Sequence, residues 1–207
     1  MYKDLRVVDL TTGIAGAYCA KLLTDLGADV VCVEQPGGHP LRAHDRDGAL
    51  FAYLRTSQRS VGGDPAPWLD AADIALVGPQ PPLGEGGGPR VVVSITPVGH
   101  GGPDDGADLP EEVLQARSGS LSAHGHMTMT PLTVGGHLGE YVTGAFAALG
   151  GCTAWRRVQR TGVSEHVDVS MLEAMQMTFV TVPTLMSRFP GGRGGTFRFV
   201  MIPGNEP

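Results

Sequence analysis

Aromatic residues are scarce, at 6% of the chain. The core must therefore be built from Val, Leu, Ala and Met rather than from large rings. Charge is scarce too: Asp, Glu, Lys and Arg make up 17%, and the net charge is −6. Phosphate-backbone binding needs clustered Lys and Arg, so no nucleic-acid partner is expected. The three cysteines, Cys19, Cys32 and Cys152, form no CxxC pair. Such a scattered, odd set reads as reduced thiols in a cytosolic protein. The opening MYKDLRVVDL lacks the apolar stretch of a signal peptide. No apolar run reaches the roughly 18 residues of a membrane span. The expectation is a soluble, cytoplasmic protein with no membrane partner.

What is plentiful is glycine, 31 residues in a chain of 207, with 16 prolines. Much of it falls in 78–89 (GPQPPLGEGGGP), 99–106 and 190–195, which read as loops. Apolar residues reach 42%, enough for one real core, and the length suits one domain or one domain with a trailing piece. No internal repeat or heptad is present.

Along the chain, LRVVDL (5–10) reads as a buried parallel strand. The loop TTGIAG follows, then a helix over 17–27 that Gly27 can stop in the left-handed conformation. ADVVCVE (28–34) is a second strand. Strand, Gly-bearing turn, helix and strand make a right-handed βαβ unit. Further strands are expected at 73–77, 89–96 and 164–169, with helices within 64–72, around 110–121, over 137–161 and after 169. The fold class is α/β: an open, mostly parallel, Rossmann-like sheet with flanking helices. Ligands bind such sheets at the carboxyl ends of strands, so the loops 11–16, 35–42, 77–88 and 97–103 hold the candidate sites.

Several constellations compete for a function. Gly13-x-x-Gly16 with Glu34 closing the next strand looks like a dinucleotide site, although GxGxxG is absent. The same glycines also suit a tight turn or a CoA-type ligand. His100, His124, His126 and His137 sit in Gly-rich loops, but no matching Cys, Asp or Glu spacing accompanies them, and no metal is expected. Ser118-Gly119-Ser120 is not a G-x-S-x-G elbow. Cys19 falls on the apolar side of a helix and reads as core. Glu140, alone among the glycines of GGHLGEYVTG, reads on spacing as an acid that offsets a helix dipole or as a site residue.

Read together, five collinear segments and the last residues resemble family III CoA-transferases, the formyl-CoA and carnitine CoA-transferase group that also holds the α-methylacyl-CoA racemases. They are VVDLTTGIAGAYCAKLLTDLGADVVCVEQPGG, PRVVVSITPVGHGGP (89–103), LQARSGSLSAHG (114–125), PLTVGGHLGEYVTGAFAALGG (131–151), TGVSEHVDVSMLEAM (161–175) and the closing FRFVMIPGNEP. The resemblance implies that Glu140 occupies the place of the family's catalytic aspartate. There a carboxylate attacks an acyl-CoA thioester to give a mixed anhydride, which CoA thiolate converts to an enzyme thioester before an incoming carboxylic acid takes the CoA. It implies CoA or acyl-CoA as substrate, without a metal, held by Thr12, Gly13, Ile14, Ala15, Gln35 and Arg42, with Gly99 and Gly101 shaping the pocket. Neighbouring glycine amides suit oxyanion stabilisation.

The departures are specific. Glu replaces Asp at 140, which extends the carboxylate by one C–C bond, about 1.5 Å. Cys32 stands where the family often has Lys, and Gly38-His39-Pro40 where it has an acid. Residues 79–88 look like a shortened loop. Family members are roughly twice this length, with a small domain and then a carboxyl-terminal segment, and two chains interlock. By resemblance, residues 1–190 are the amino-terminal part of the large domain, and 191–207 are an extended tail leading toward a small domain. A homodimer, or a heteromer with a chain that supplies the carboxyl-terminal half, is expected. A non-catalytic or degenerate partner subunit, an acyl-CoA racemase and an NAD-dependent dehydrogenase are the rival readings.

Overall fold

The computed structural model describes residues 2–79, 88–123 and 129–179. Six strands form one sheet: β1 (Arg6–Asp9), β2 (Asp29–Glu34), β3 (Arg59–Gly62), β4 (Ile74–Val77), β5 (Val91–Thr96) and β6 (Glu165–Ser170). Their order is β3-β2-β1-β4-β5-β6, and every pairing is parallel. The helices are α1 (Ile14–Asp25), α2 (Ala49–Leu54), α3 (Ala66–Ala71), α4 (Glu111–Ser118), α5 (Leu138–Thr161) and α6 (Met171–Phe179). Short 3₁₀ turns occupy Pro40–Ala43 and Ser120–Ala123.

Strand periodicity divides the core. Val7 pairs with Val30 on one side and Ile74 on the other, and Ile74 pairs with Val91, giving one apolar row across four strands. That row lies against Ala15, Cys19 and Leu23 of α1 and Ala147, Ala154 and Val158 of α5. The alternate residues, Val8 and Val31, point to the opposite face and pack with Trp68 and Leu69 of α3. A third cluster joins Ile14 and Ala17 of α1 to Leu41 and Leu54, with Tyr141 at its edge. Both faces of the central strands are thus buried, which is why these strands read as unbroken apolar runs.

The open parallel α/β sheet agrees with expectation, and one strand corrects it. RSVG (59–62) pairs with β2 as an edge strand, although most of its residues are exposed and it carries no apolar run. The short α2 before it is likewise absent from the sequence reading. Helix α1 begins at Ile14 rather than 17, so the N-terminal turn of the helix reaches the site. Helix α4 stops at Ser118, where Gly119 takes φ 83°. Cys19 is fully buried in the core, as expected. The expected tail 191–207, and the stretch 180–190 before it, lie outside the described residues. Among the described residues no helix is long and apolar enough to cross a membrane.

Candidate active site

Two helix starts meet at Glu140. The residue lies in the first turn of α5, and its Oε2 accepts the backbone N–H of Ala15, in the first turn of α1, at 3.0 Å. One carboxylate therefore faces the positive ends of two helices. Gly13 flanks it so closely that a Cβ there would lie 3.3 Å from Oε2. Burial pushes the Glu140 carboxyl above the usual carboxylate range, while the Ala15 amide and the His137 imidazole pull it back.

Small residues make this approach possible. Gly144 lets α5 settle onto the backbone of α1. A Cβ at Gly16 would run into the side chain of Thr11, and one at Gly139 into Met175. Gly13 and Gly16 thus serve close approach, since neither has a positive φ.

A second carboxylate lies beside the first. Glu111, at the start of α4, accepts the Gly139 N–H and the Gln115 Nε2 donor on Oε1, both at 2.8 Å. Gln115 also clamps the incoming segment, donating to Val134 O and accepting from Val134 N. Between the two acids stands His137, held at φ 57°. Its Nδ1 is 3.8 Å from Glu111 Oε2 and 3.8 Å from Glu140 Oε1.

Under the β1–α1 turn lies a buried charge network. Asp9 accepts the N–H and the hydroxyl of Thr11 on Oδ1, at 2.8 and 2.6 Å, and pairs through Oδ2 with Arg55. His39 lies against both, its Nε2 at 2.8 Å from Arg55 Nη2 and 3.1 Å from the Thr11 carbonyl oxygen. Leu41 N–H donates to His39 Nδ1. Burial, followed by the Arg55 charge, lowers the His39 pKa and keeps the ring neutral.

The residues expected at the site divide into three places along the carboxyl edge of the sheet. Thr12 and Gly13 are exposed and Ile14 and Ala15 buried at the start of α1, beside Glu140. Gln35 is exposed after β2, and Arg42 lies close by, over the Phe51 ring at 4.0 Å. Gly99 and Gly101 lie after β5, where a Cβ at Gly99 would meet Ser170 and Asp168. Glu34 is not free for a ribose: it accepts from Arg42 Nε and Nη2, Ser60 Oγ and His39 N. These bonds, Arg42 first, hold its carboxyl at about 2. The dinucleotide reading loses the acid it relied on.

Of the histidines, His100 lies near Asp105, with Nδ1 at 3.4 Å. His124 and His126 fall outside the described residues. His137, expected in a Gly-rich loop, stands between two acids. Glu111, Asp9, Arg55 and His39 were not singled out from sequence. For Glu111 the available signal was a first-turn acid after Pro110. That marks a helix start but does not reveal what the helix start faces.

The sequence matches the model of CoA-transferase family III over residues 2–66 and 88–197. It is 30% identical to the succinyl-CoA:mesaconate CoA-transferase of Haloarcula hispanica, in an alignment covering 83% of this chain and 52% of that protein. It is also 30% identical to a subunit of the succinyl-CoA:(R)-benzylsuccinate CoA-transferase of Thauera aromatica, covering 85% and 50%. The chain thus spans about half the length of the curated relatives it matches. In fold it resembles a CaiB/BaiF family protein from Brucella suis, with TM-score 0.78, 22% identity and coverage of 88% and 56%. The chain belongs to CoA-transferase family III.

Proposed function

We propose that this chain carries the carboxylate half-site of a CoA-transferase that moves CoA between an acyl-CoA and a carboxylic acid, with Glu140 as nucleophile. The single observation that supports the reading most is the Ala15 amide on Glu140 Oε2, with Gly13 beside that oxygen. The carboxylate is fixed by one oxygen and leaves the other for attack on a thioester carbonyl. Two helix N-termini and the Gly13 backbone favour the oxyanion that forms. Attack by Oε1 expels CoA thiolate and leaves a mixed anhydride. Return of the thiolate to the glutamyl carbon gives a Glu140 thioester and releases the acid. The incoming acid reverses both steps.

CoA would lie along the carboxyl edge, past Thr12 to Ala15 and toward Gln35 and Arg42, with Gly99 and Gly101 bounding the pocket. A homodimer, or a heteromer with a chain corresponding to the rest of the relatives' length, is the assembly we expect. The similarity to one subunit of a CoA-transferase fits this arrangement. A cytoplasmic location suits acyl-CoA substrates.

A non-catalytic partner subunit is the second reading, favoured by Glu at a position where the family carries Asp. Trapping separates the two. The protein, alone and with the complementary chain, is incubated with succinyl-CoA and hydroxylamine, and Glu140 is examined by peptide mass spectrometry. A hydroxamate on Glu140, lost in Glu140→Gln, supports catalysis. An unlabelled Glu140 at saturating succinyl-CoA, with the complementary chain present, leaves only the partner role.

A further inference from the structure

We propose that Glu111, His137 and Glu140 form a binding site for a divalent transition-metal ion, and that the ion competes with an acyl group for Glu140. One ligand atom from each residue lies within 4.8 Å of the other two. The hydrogen bonds around them decide which atoms remain. Glu140 commits Oε2 to Ala15 and turns Oε1 toward His137. Glu111 commits Oε1 to Gly139 and Gln115. Its Oε2 is buried without a hydrogen-bond partner among the described residues, on a side chain only 7% exposed, and faces His137 Nδ1. Three donor atoms, one from the start of α4 and two from the start of α5, thus converge, none of them with a hydrogen bond among the described residues.

A buried, unpaired carboxylate oxygen is costly, and a cation is the partner that best offsets it. Metal–oxygen and metal–nitrogen bonds of about 2.0–2.2 Å place neighbouring ligand atoms roughly 3–3.6 Å apart. The two 3.8 Å separations to His137 therefore need to close by only a few tenths of an ångström, and the two carboxylates, whose ligand atoms lie within 4.8 Å, by up to about 1–2 Å through side-chain rotation. Two carboxylates and one imidazole balance a dication, and the nitrogen favours zinc, or cobalt as its spectroscopic stand-in, over calcium, which takes six to eight oxygens. The amides of Ala15 and Gly139 and the Gln115 side chain hold both carboxylates in place, as outer partners do in metal sites. His137 is 42% exposed, which gives the ion a path in and leaves coordination positions open to water.

The site stands on this geometry alone. Its consequence for acyl transfer rests on the nucleophile role proposed for Glu140: an ion on Oε1 occupies the lone pair that would attack the thioester.

The test titrates cobalt(II) into the intact protein and follows its visible and near-ultraviolet absorption. The expected result is one equivalent bound, with d–d bands and no thiolate-to-metal band. Loss of outer partners alone weakens metal sites 10–100-fold. Loss of a ligand, in Glu111→Gln or in His137→Asn, should therefore weaken binding at least tenfold while circular dichroism shows the fold retained. Asn is chosen because it tolerates the left-handed backbone at 137. Absence of binding, a thiolate band, or unchanged affinity in both variants overturns the site. A second arm repeats the hydroxylamine trapping with zinc(II). Labelling that falls in step with occupancy supports the competition, and labelling indifferent to a bound ion overturns it. An unlabelled metal-free protein counts against the acyl-transfer reading, while the cobalt titration still decides the site.

Discussion

Gly144 of α5 stands so close to α1 that a Cβ on it would fall 2.5 Å from the Ala15 carbonyl oxygen and 3.2 Å from the Cys19 nitrogen. Both contacts are backbone, so neither can swing aside. Gly144→Ala should push the two helices apart and cost about 1–3 kcal/mol, the usual penalty of overpacking, read as a lower midpoint in urea unfolding. Because Ala15 is also the donor to Glu140, the same variant should slow trapping of the acyl group at 140 by more than its stability loss explains. Equal stability and equal trapping would show that the helix contact does not set the site.

Asp9 and Arg55 make the deepest ion pair among the described residues, with side chains 0% and 5% exposed. The pair bridges the end of β1 and the segment after α2, and through Thr11 it fixes the turn that opens α1. Removing one partner leaves the other charge buried and uncompensated. Arg55→Met and Asp9→Asn should each cost about 3–5 kcal/mol in urea unfolding. A double-mutant cycle should show strong coupling between the two sites. Additive losses would mean that the pair does not act as a unit.

The neighbouring His39 makes stability depend on pH in a stated direction. Its folded pKa lies below the ordinary 6.5, because burial and then Arg55 disfavour the imidazolium more than Asp9, Glu34 and the Thr11 carbonyl favour it. Between the folded and unfolded values the unfolded chain binds more protons, so stability rises with pH through that window. Lowering the pH from about 7 to about 5 should reduce the unfolding free energy, and His39→Gln should flatten the slope. A slope unchanged by the substitution would assign the titration to other groups.

The parts of the fold that were legible are those where burial leaves a mark on the chain. β1, β2, β4 and β5 are apolar runs because both faces are covered. β6 was found despite its mixed exposure, because it precedes a helical pattern. RSVG left no mark, since an edge strand pairs through its backbone and its side chains remain in water. Glu140 stood out by its glycine surroundings and by family resemblance. Glu111 did not, because only the packing of α4 against α5 and α6 brings it beside Gly139. The left-handed turn at His137 was equally hidden: histidine adopts a positive φ more often than most residues, but such residues are too uncommon for the side chain alone to mark one. The network of Asp9, His39 and Arg55 joins three segments distant in sequence, none with a motif of its own.

Gly13 offers the cleanest separation of structure from chemistry. Its backbone, at φ −97° and ψ 172°, is extended and open to any residue. An added methyl group meets only the Glu140 carboxylate, at 3.3 Å. Gly13→Ala should therefore fold normally, with stability within about 0.5 kcal/mol of the parent. The methyl group would still press on Oε2, the oxygen that the Ala15 amide holds, and displacements of about 1 Å at a reacting centre cost on the order of 10²-fold in rate. Trapping at Glu140 should fall by about that factor while the urea midpoint stays put. If both remain unchanged, the placement of the Glu140 carboxylate beside residue 13 does not set the rate.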